Sequence, residues 1–436
     1  MKSYRDTIKK KLPALTESIR WCKRRKNELS ALKRHIQRKN YQKKYNHEDD
    51  RKIIVVFICQ YIPAWSKNKQ LYETLKKDER FKTVLLCIPN RVAGHVLQNP
   101  DDLSNDTYEY FMSHGYADAV NSLIGKNTWL DLKAMHPDYV IYNRYDRPMP
   151  IEYTSTYVST FAKVCLIKYS SSLFKIEESM FDKTFAANTY CFFTESESIR
   201  KEFIRWNKIL CKMKLSNAIY CGIPAIENAY KAKNDYAKAW EFSQDGFRVM
   251  YTPRWTMDPT WGGSSFLKYR DVFLKISDDN PEMDILLRPH PLMLDHFINA
   301  GLMSKEEVEI YINECNMRSN IRFDTEKEYH ATFWNSNVLV TDFSSMIIEY
   351  FITGKPIIYL TYDEKIECTE QMKAVLESSY IVNNEDELRE TLTNLANGND
   401  PLAEKRKSIC KTVFPEELHS VTSENMKQVL LEGMQK

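Results

Sequence analysis

The side chains best suited to chemistry in this chain fall in two short stretches about fifty residues apart. The first is Asp284-Ile-Leu-Leu-Arg-Pro-His-Pro291, where an apolar strand-like run ends at Leu287 and Arg288 and His290 follow. Prolines on both sides of His290 restrict its backbone, so the imidazole has little entropy left to lose. The planar guanidinium of Arg288 suits a phosphate, to which it can donate two parallel hydrogen bonds. The second stretch, Val338-Leu-Val-Thr-Asp-Phe-Ser-Ser-Met-Ile-Ile-Glu-Tyr-Phe351, runs from a strand through Thr341 and Asp342 to Ser344 and Ser345, which open a helix with Ile347, Ile348 and Phe351 on its apolar face. Free N–H groups, the positive end of a helix and two hydroxyls make an anion site without any glycine. Alone, His290 reads as a strand-end cap and a single serine as an ordinary N-cap; both stretches in one domain point to phosphate binding.

Positioning these groups requires strands that end beside one another. From residue 53, short β-rich apolar runs alternate with helical stretches: Ile53–Cys59, Thr83–Ile88, Tyr139–Tyr142, Val164–Ile167, Tyr190–Phe193 and Ala218–Cys221. After the polar stretch Ala225–Gln244 a second series begins: Arg248–Tyr251, Asp284–Leu287, Ile321–Phe323, Val338–Val340, Pro356–Tyr359 and Tyr380–Val382. Strands that are apolar on both faces and separated by helices predict parallel sheets. Two series in tandem predict an α/β chain of two Rossmann-like domains facing across a cleft. The expected organisation is a basic helical arm over 1–50, domains over 51–225 and 226–415, and a helix over 416–436 packed back on the body.

Composition removes several classes. Glycine is scarce, 11 in 436 residues, and neither G-x-G-x-x-G nor a Walker A loop occurs, which disfavours nicotinamide-dependent Rossmann enzymes and P-loop ATPases. H-E-x-x-H and G-x-S-x-G are also missing. The pairs Asp49-Asp50, Asp101-Asp102 and Asp278-Asp279 lie in polar surroundings and read as solvated surface, so no metal site is expected. The longest apolar run, Ile53–Cys59, has 7 residues, against about 18 for a membrane span. The scattered cysteines lack a C-x-x-C pair and read as reduced thiols of a cytoplasmic protein.

Net charge is +3, but residues 1–52 hold 18 basic and 6 acidic side chains, leaving the remainder at 44 against 53. Within the basic segment, Leu15, Ile19, Cys22, Leu29, Leu32 and Ile36 recur at helical steps, and Pro13 suits a helix start. A coiled-coil segment, a helix on an anionic membrane surface and a helix docked on the body with a solvated basic face all fit this pattern.

Arg-Pro-His-Pro291, then Thr-Asp-Phe-Ser-Ser345, then Gly-Lys-Pro-Ile-Ile358 resembles the C-terminal half of the CDP-glycerol glycerophosphotransferases, the teichoic-acid and capsule polymerases and primases of bacteria. Tyr251-Thr-Pro-Arg-Trp255, Gly222-Ile-Pro224 and Pro137-Asp-Tyr-Val140 fit the same resemblance, which covers about residues 53–400 and is strongest over 248–362. It implies a GT-B fold with the donor nucleotide on the C-terminal domain and the acceptor on the N-terminal one. By that resemblance His290 and Arg288 contact the donor diphosphate, Ser344 and Ser345 bind its phosphates, and Thr341 and Asp342 shape the turn. Arg254 and Trp255 line the opposite lip, where the indole either stacks on a base or belongs to the core.

The family's Trp-His-Gly-Thr segment, whose histidine is taken as the general base, has no counterpart here. Val164-Cys-Leu-Ile-Lys-Tyr-Ser-Ser-Ser172 occupies the comparable strand end, with Tyr169 and Ser170 as acceptor-side candidates. Asp146, in Asn143-Arg-Tyr-Asp-Arg-Pro148, is a candidate base, while His114 and His136 look like surface residues. The resemblance implies attack of an acceptor hydroxyl on a CDP-activated alditol, with release of CMP and no cofactor. The acceptor would be a lipid-linked or capsule glycan, and residues 1–50 would lie on an anionic membrane. A nucleotide-sugar glycosyltransferase keeps the fold and changes the donor. A nucleic-acid-binding protein working through the basic segment is disfavoured by the acidic body and the lack of a recognition motif.

Overall fold

The computed structural model describes residues 13–45, 51–145, 148–169, 182–242, 245–258, 263–326, 329–361, 367–415 and 420–435. Runs of β-branched and aromatic residues form two separate parallel sheets, one in each of two units. The first unit takes its chain from Met1–Tyr169, Ile176–Pro224 and Ser423–Lys436, and the second is chiefly Ala225–Thr422.

In the first unit the strands of the main sheet are β1 (Ile53–Cys59), β2 (Phe81–Cys87), β3 (Ala119–Asn121), β4 (Tyr139–Tyr142), β5 (Lys163–Ile167), β6 (Thr189–Thr194) and β7 (Asn217–Tyr220), in the order β7-β6-β5-β4-β1-β2-β3. All these pairs are parallel, with Val56 opposite Val84 and Cys59 opposite Cys87. Side chains alternate between the faces of a strand, so Val56, Ile58, Val140 and Leu166 enter one core layer while Val55, Phe57, Ile141 and Ile167 enter the other. Burial on both faces explains why β1 reads as an unbroken apolar run. Cys59, Cys87, Cys165, Cys191 and Cys221 line the second layer as free thiols, and burial pushes each thiol's pKa up.

The second sheet comprises β8 (Phe247–Thr252), β9 (Met283–Leu287), β10 (Ile321–Phe323), β11 (Val338–Thr341), β12 (Ile357–Leu360) and β13 (Tyr380–Val382), ordered β10-β9-β8-β11-β12-β13. Its pairs are also parallel. Helix Phe266–Asp279 bridges β8 to β9, and Met346–Phe351 bridges β11 to β12. Gly222, at φ +109°, takes the chain through the turn after β7, in a conformation that side-chain-bearing residues seldom adopt.

Helix Pro13–Tyr45 is not an independent arm, because its second half is docked on the first unit. Ala31 packs with Ala187 and Leu210. Arg38 is buried with its guanidinium over Tyr190, and Tyr41 donates to the Lys133 carbonyl at 2.7 Å. His136, expected as a plain surface residue, stacks on Tyr45 at 3.9 Å and holds this helix, whereas His114 is exposed. At the other terminus, helix Thr422–Met434 covers the layer lined by the cysteines, through Met426 and Leu430. Tyr139 donates to the Leu430 carbonyl and Lys163 to the Gly433 carbonyl, both at 2.7 Å.

A Cβ at Gly433 would stand 2.3 Å from the Tyr139 hydroxyl oxygen. Gly433→Ala is therefore expected to cost about 1–3 kcal/mol of stability through overpacking, read as a lower urea midpoint.

Candidate functional site

Strand order sets three carboxyl ends side by side: β8 ends at Thr252 and pairs with β9, ending at Leu287, and with β11, ending at Thr341. Ligands of open parallel sheets bind outside such ends, and strands are spaced about 5 Å apart, so the loops leaving them begin as close neighbours. Thr341 Oγ1 donates to the Thr252 carbonyl at 2.8 Å, fastening β11 to β8 at the last rung.

Asp342 then ties the loops together. Its side chain is 1% exposed and accepts from Arg254 N at 2.9 and 3.0 Å, and from Ser265 N and Oγ at 2.8 Å each. A carboxylate only accepts, so Ser265 donates to it and Tyr251, 2.9 Å from Ser265 Oγ, donates to Ser265. Burial lifts the Asp342 carboxyl above its ordinary pKa, and the surrounding donors and Arg254 oppose that rise.

His290 is neutral. Burial first, and then the neighbouring Arg254, hold its imidazole down at about 4. Its Nδ1 accepts from Leu292 N at 3.1 Å, which leaves the ring proton on Nε2. The ring therefore offers an uncharged N–H donor. The His290 backbone N–H donates to the Pro253 carbonyl at 3.4 Å, so the loops after β8 and β9 touch here. The Trp255 ring stands 6.2 Å from His290 and 5.0 Å from His296, half-buried against the core.

Arg288 is already engaged: Nη1 donates to Asp324 Oδ2 and Nη2 to the Glu326 carbonyl, both at 2.5 Å. Its charge is thus countered within the protein, unlike the simple phosphate fork that sequence alone suggests. Ser344 and Ser345 are half-buried, and Ser344 Oγ accepts from Met346 N at 3.3 Å. Helix Met346–Phe351 has only 6 residues, so the local N–H groups and hydroxyls outweigh any long-range dipole. Arg254 reaches across to donate to the Phe343 carbonyl at 2.5 Å.

The sequence profile of the CDP-glycerol:poly(glycerophosphate) glycerophosphotransferases matches residues 183–422, more than half of the chain and the whole of this site. The chain belongs to that family. Solved structures agree in fold. A solved chain of the wall teichoic acid polymerase TagF superposes with a TM-score of 0.56 at 15% identity, covering 95% of this chain and 99% of that solved chain. A UDP-N-acetylglucosamine 2-epimerase from Listeria monocytogenes gives 0.56 at 14%, covering 88% and 97%. The UDP-GlcNAc 2-epimerase of Neisseria meningitidis, bound to UDP-GlcNAc, gives 0.57 at 14%, covering 87% and 100%. These likenesses establish the GT-B-type fold. No curated protein sequence matches.

In this glycerophosphotransferase-family chain, Thr341 ends β11, and Arg254, Trp255, Arg288, His290, Asp342, Ser344 and Ser345 lie on the loops at the same end of the second sheet. Tyr169 belongs to the first unit, where the Arg144 guanidinium lies 4.9 Å from its ring and 5.5 Å from that of Tyr61. Asp146 and Ser170 fall outside the described residues. Among the described residues no three His, Cys, Asp or Glu side chains group as a metal would require. Ser265 and Asp324 escaped sequence reasoning. A serine before a helix and an aspartate after a strand are common, and only pairing partners far along the chain reveal their part.

Asp342→Asn places an amide N–H₂ against these donors and should cost about 1–3 kcal/mol by urea unfolding. Ser345→Ala, whose side chain makes no cap, should stay within about 0.5 kcal/mol. Between its ordinary pKa of 6.5 and its native value of about 4, unfolded His290 takes up a proton that the native ring refuses, so its contribution is lost as pH is lowered through that window and restored as pH rises. In ¹⁵N NMR spectra the His290 ring should remain the neutral Nε2–H form down to about pH 5.

Proposed function

We propose that this protein transfers an alditol phosphate, glycerol phosphate first among candidates, from a CDP-activated donor to a hydroxyl of a teichoic-acid-like or capsule glycan, releasing CMP. The observation that carries this reading is the convergence of the loops starting at Pro253, Arg288 and Asp342, bound to one another through Asp342 and Pro253. The family is named for a CDP-glycerol donor, and a protein of this fold is bound to UDP-GlcNAc, another nucleotide diphosphate.

The acceptor oxygen attacks the alditol-bearing phosphorus, the bond from that phosphorus to the CMP oxygen breaks, and the acceptor proton passes to a base on the acceptor side. Phosphoryl transfer asks the protein mainly to position groups and stabilise charge. Neutral His290 donates its Nε2–H to the departing phosphate. Ser344, Ser345 and nearby backbone N–H groups hold the other oxygens, and Arg254 supplies positive charge. Arg288, balanced by Asp324, acts more by holding its loop than by free charge. Asp146 is the candidate base, and Tyr169 and Ser170 are the acceptor-side candidates.

Likeness to the epimerases supports a second reading, a nucleotide-sugar glycosyltransferase, in which carbon rather than phosphorus is attacked. Incubation with CDP-glycerol, CDP-ribitol and UDP-sugars separates the readings: CMP release supports the first, and UDP release with no CMP rejects it. His290→Ala should lower turnover about 10²–10³-fold without unfolding the protein, and His290→Gln, which restores a neutral donor, should recover part of the loss. Near-normal turnover in His290→Ala would remove that residue from the mechanism.

We also propose that the amino-terminal segment rests on the inner face of the cell membrane, near a lipid-linked acceptor. Support comes from the exposed stripe Lys26, Leu29, Lys33, Ile36 and Lys43 on helix Pro13–Tyr45, with Leu29 62% and Ile36 52% exposed. No helix among the described residues is long and apolar enough to cross a membrane. At about 1 kcal/mol per lysine near anionic lipid, Lys26→Glu, Lys33→Glu and Lys43→Glu together should weaken vesicle binding by at least about 10²-fold. Unchanged binding would discard the stripe as an anchor.

A further inference from the structure

Beside the site lies a buried polar cluster to which the proposed mechanism gives no part. Glu349, 2% exposed, sits one turn beyond Ser345 on helix Met346–Phe351. Its Oε2 accepts from the Tyr329 hydroxyl at 2.8 Å and stands 3.1 Å from His330 Nε2. The Tyr329 ring in turn lies against the Arg288 guanidinium, with Cζ 4.8 Å from the ring centroid. Asp324 and the Glu326 carbonyl hold that guanidinium by its nitrogens.

Burying a carboxylate costs several kcal/mol unless partners compensate, and apolar residues of the same volume often serve stability as well or better. A fully buried acid at this position therefore calls for a role beyond packing. The loops carrying Arg288, Tyr329 and Ser344–Ser345 follow different strands, and a charge-stabilising site needs its groups held within about 0.5 Å. We propose that Glu349 and Tyr329 are positioning residues that lock the Arg288 loop to the Ser344–Ser345 helix start, so that groups from separate loops act on the donor diphosphate as one rigid unit. The hydroxyl–carboxylate bond fixes the tilt of the Tyr329 ring, and the ring fixes the plane of the guanidinium. Asp324 fixes the guanidinium's position within that plane. This inference rests on the donor-site reading given above.

Tyr329→Phe tests the link, because it keeps the ring under Arg288 and removes only the hydroxyl. It should lower kcat/KM for CDP-glycerol on the order of 10-fold, within the 10²-fold that about 1 Å of misplacement can cost. The loss should fall in kcat, with KM nearly unchanged, because the aligned groups matter most as charge builds. Glu349→Ala should lose more, and Glu349→Gln, which keeps an acceptor oxygen for the tyrosine, should recover most of the activity. Thermal melts run alongside identify any variant that loses its fold, and Tyr329→Phe, the gentlest change, then decides the matter. Wild-type kcat/KM in Tyr329→Phe overturns the proposal. So does a loss confined to Glu349→Gln with Tyr329→Phe unaffected, since that would place Glu349 against the ligand itself. Calorimetry of the wild type with CDP-glycerol separates the two levels: no binding takes down the donor-site reading together with this inference, while tight binding with unaffected variants takes down this inference alone.

Discussion

A buried carboxylate cannot stand in a protein interior without donors, and at Asp342 that requirement organises the end of the second sheet. Its donors come from Arg254 and Ser265, at the beginning and the end of the segment joining β8 to helix Phe266–Asp279. The side chain thereby fixes the path of one loop while belonging to another. Many phosphate-binding folds bring backbone to the ligand with glycine-rich turns. This chain, with only 11 glycines, reaches a compact loop cluster through an acid that gathers backbone N–H groups.

The electrostatics of the cluster follow from the same crowding. Arg254 lies close enough to His290 to oppose a second positive charge, and burial adds to that effect. Arg288 is balanced by Asp324. The loop cluster therefore presents a neutral imidazole donor at His290 and a guanidinium at Arg288 whose charge is already countered. Such an arrangement suits the phosphoryl transfer proposed above, where fixed dipoles stabilise growing charge without having to reorganise. Behind it, Glu349, His330 and Tyr329 replace what could have been an apolar seam with hydrogen bonds of defined direction.

Much of the framework was legible in the sequence. Tyr139–Tyr142 begins and ends as its apolar run does, because a parallel strand buried on both faces must be apolar throughout. The edge strands Ile321–Phe323 and Tyr380–Val382 also match their runs, although Arg322 and the exposed Ile381 interrupt that burial. Short strands such as Ala119–Asn121 escaped notice, since three partly exposed residues leave no periodic signal. The sequence marks Arg288, His290, Asp342 and the two serines by type and spacing. It cannot show that Asp324 already engages Arg288, because that partner lies 36 residues further along the chain. The protonation state of His290 was equally hidden: it depends on Leu292 N, on burial and on the approach of Arg254.

By itself, then, the order of residues determined the α/β class, the alternation of strand and helix, and which segments end in polar groups, because these follow from local periodicity and from where apolar runs stop. Tertiary structure alone decided which of those ends are neighbours. The order β9-β8-β11 brings together strands whose ends, Thr252, Leu287 and Thr341, lie far apart in sequence, and hydrogen bonds across that distance gather separate polar residues in one place. It also decided which face of the basic amino-terminal helix is covered, since a helical period describes the faces of a helix without naming what packs on them.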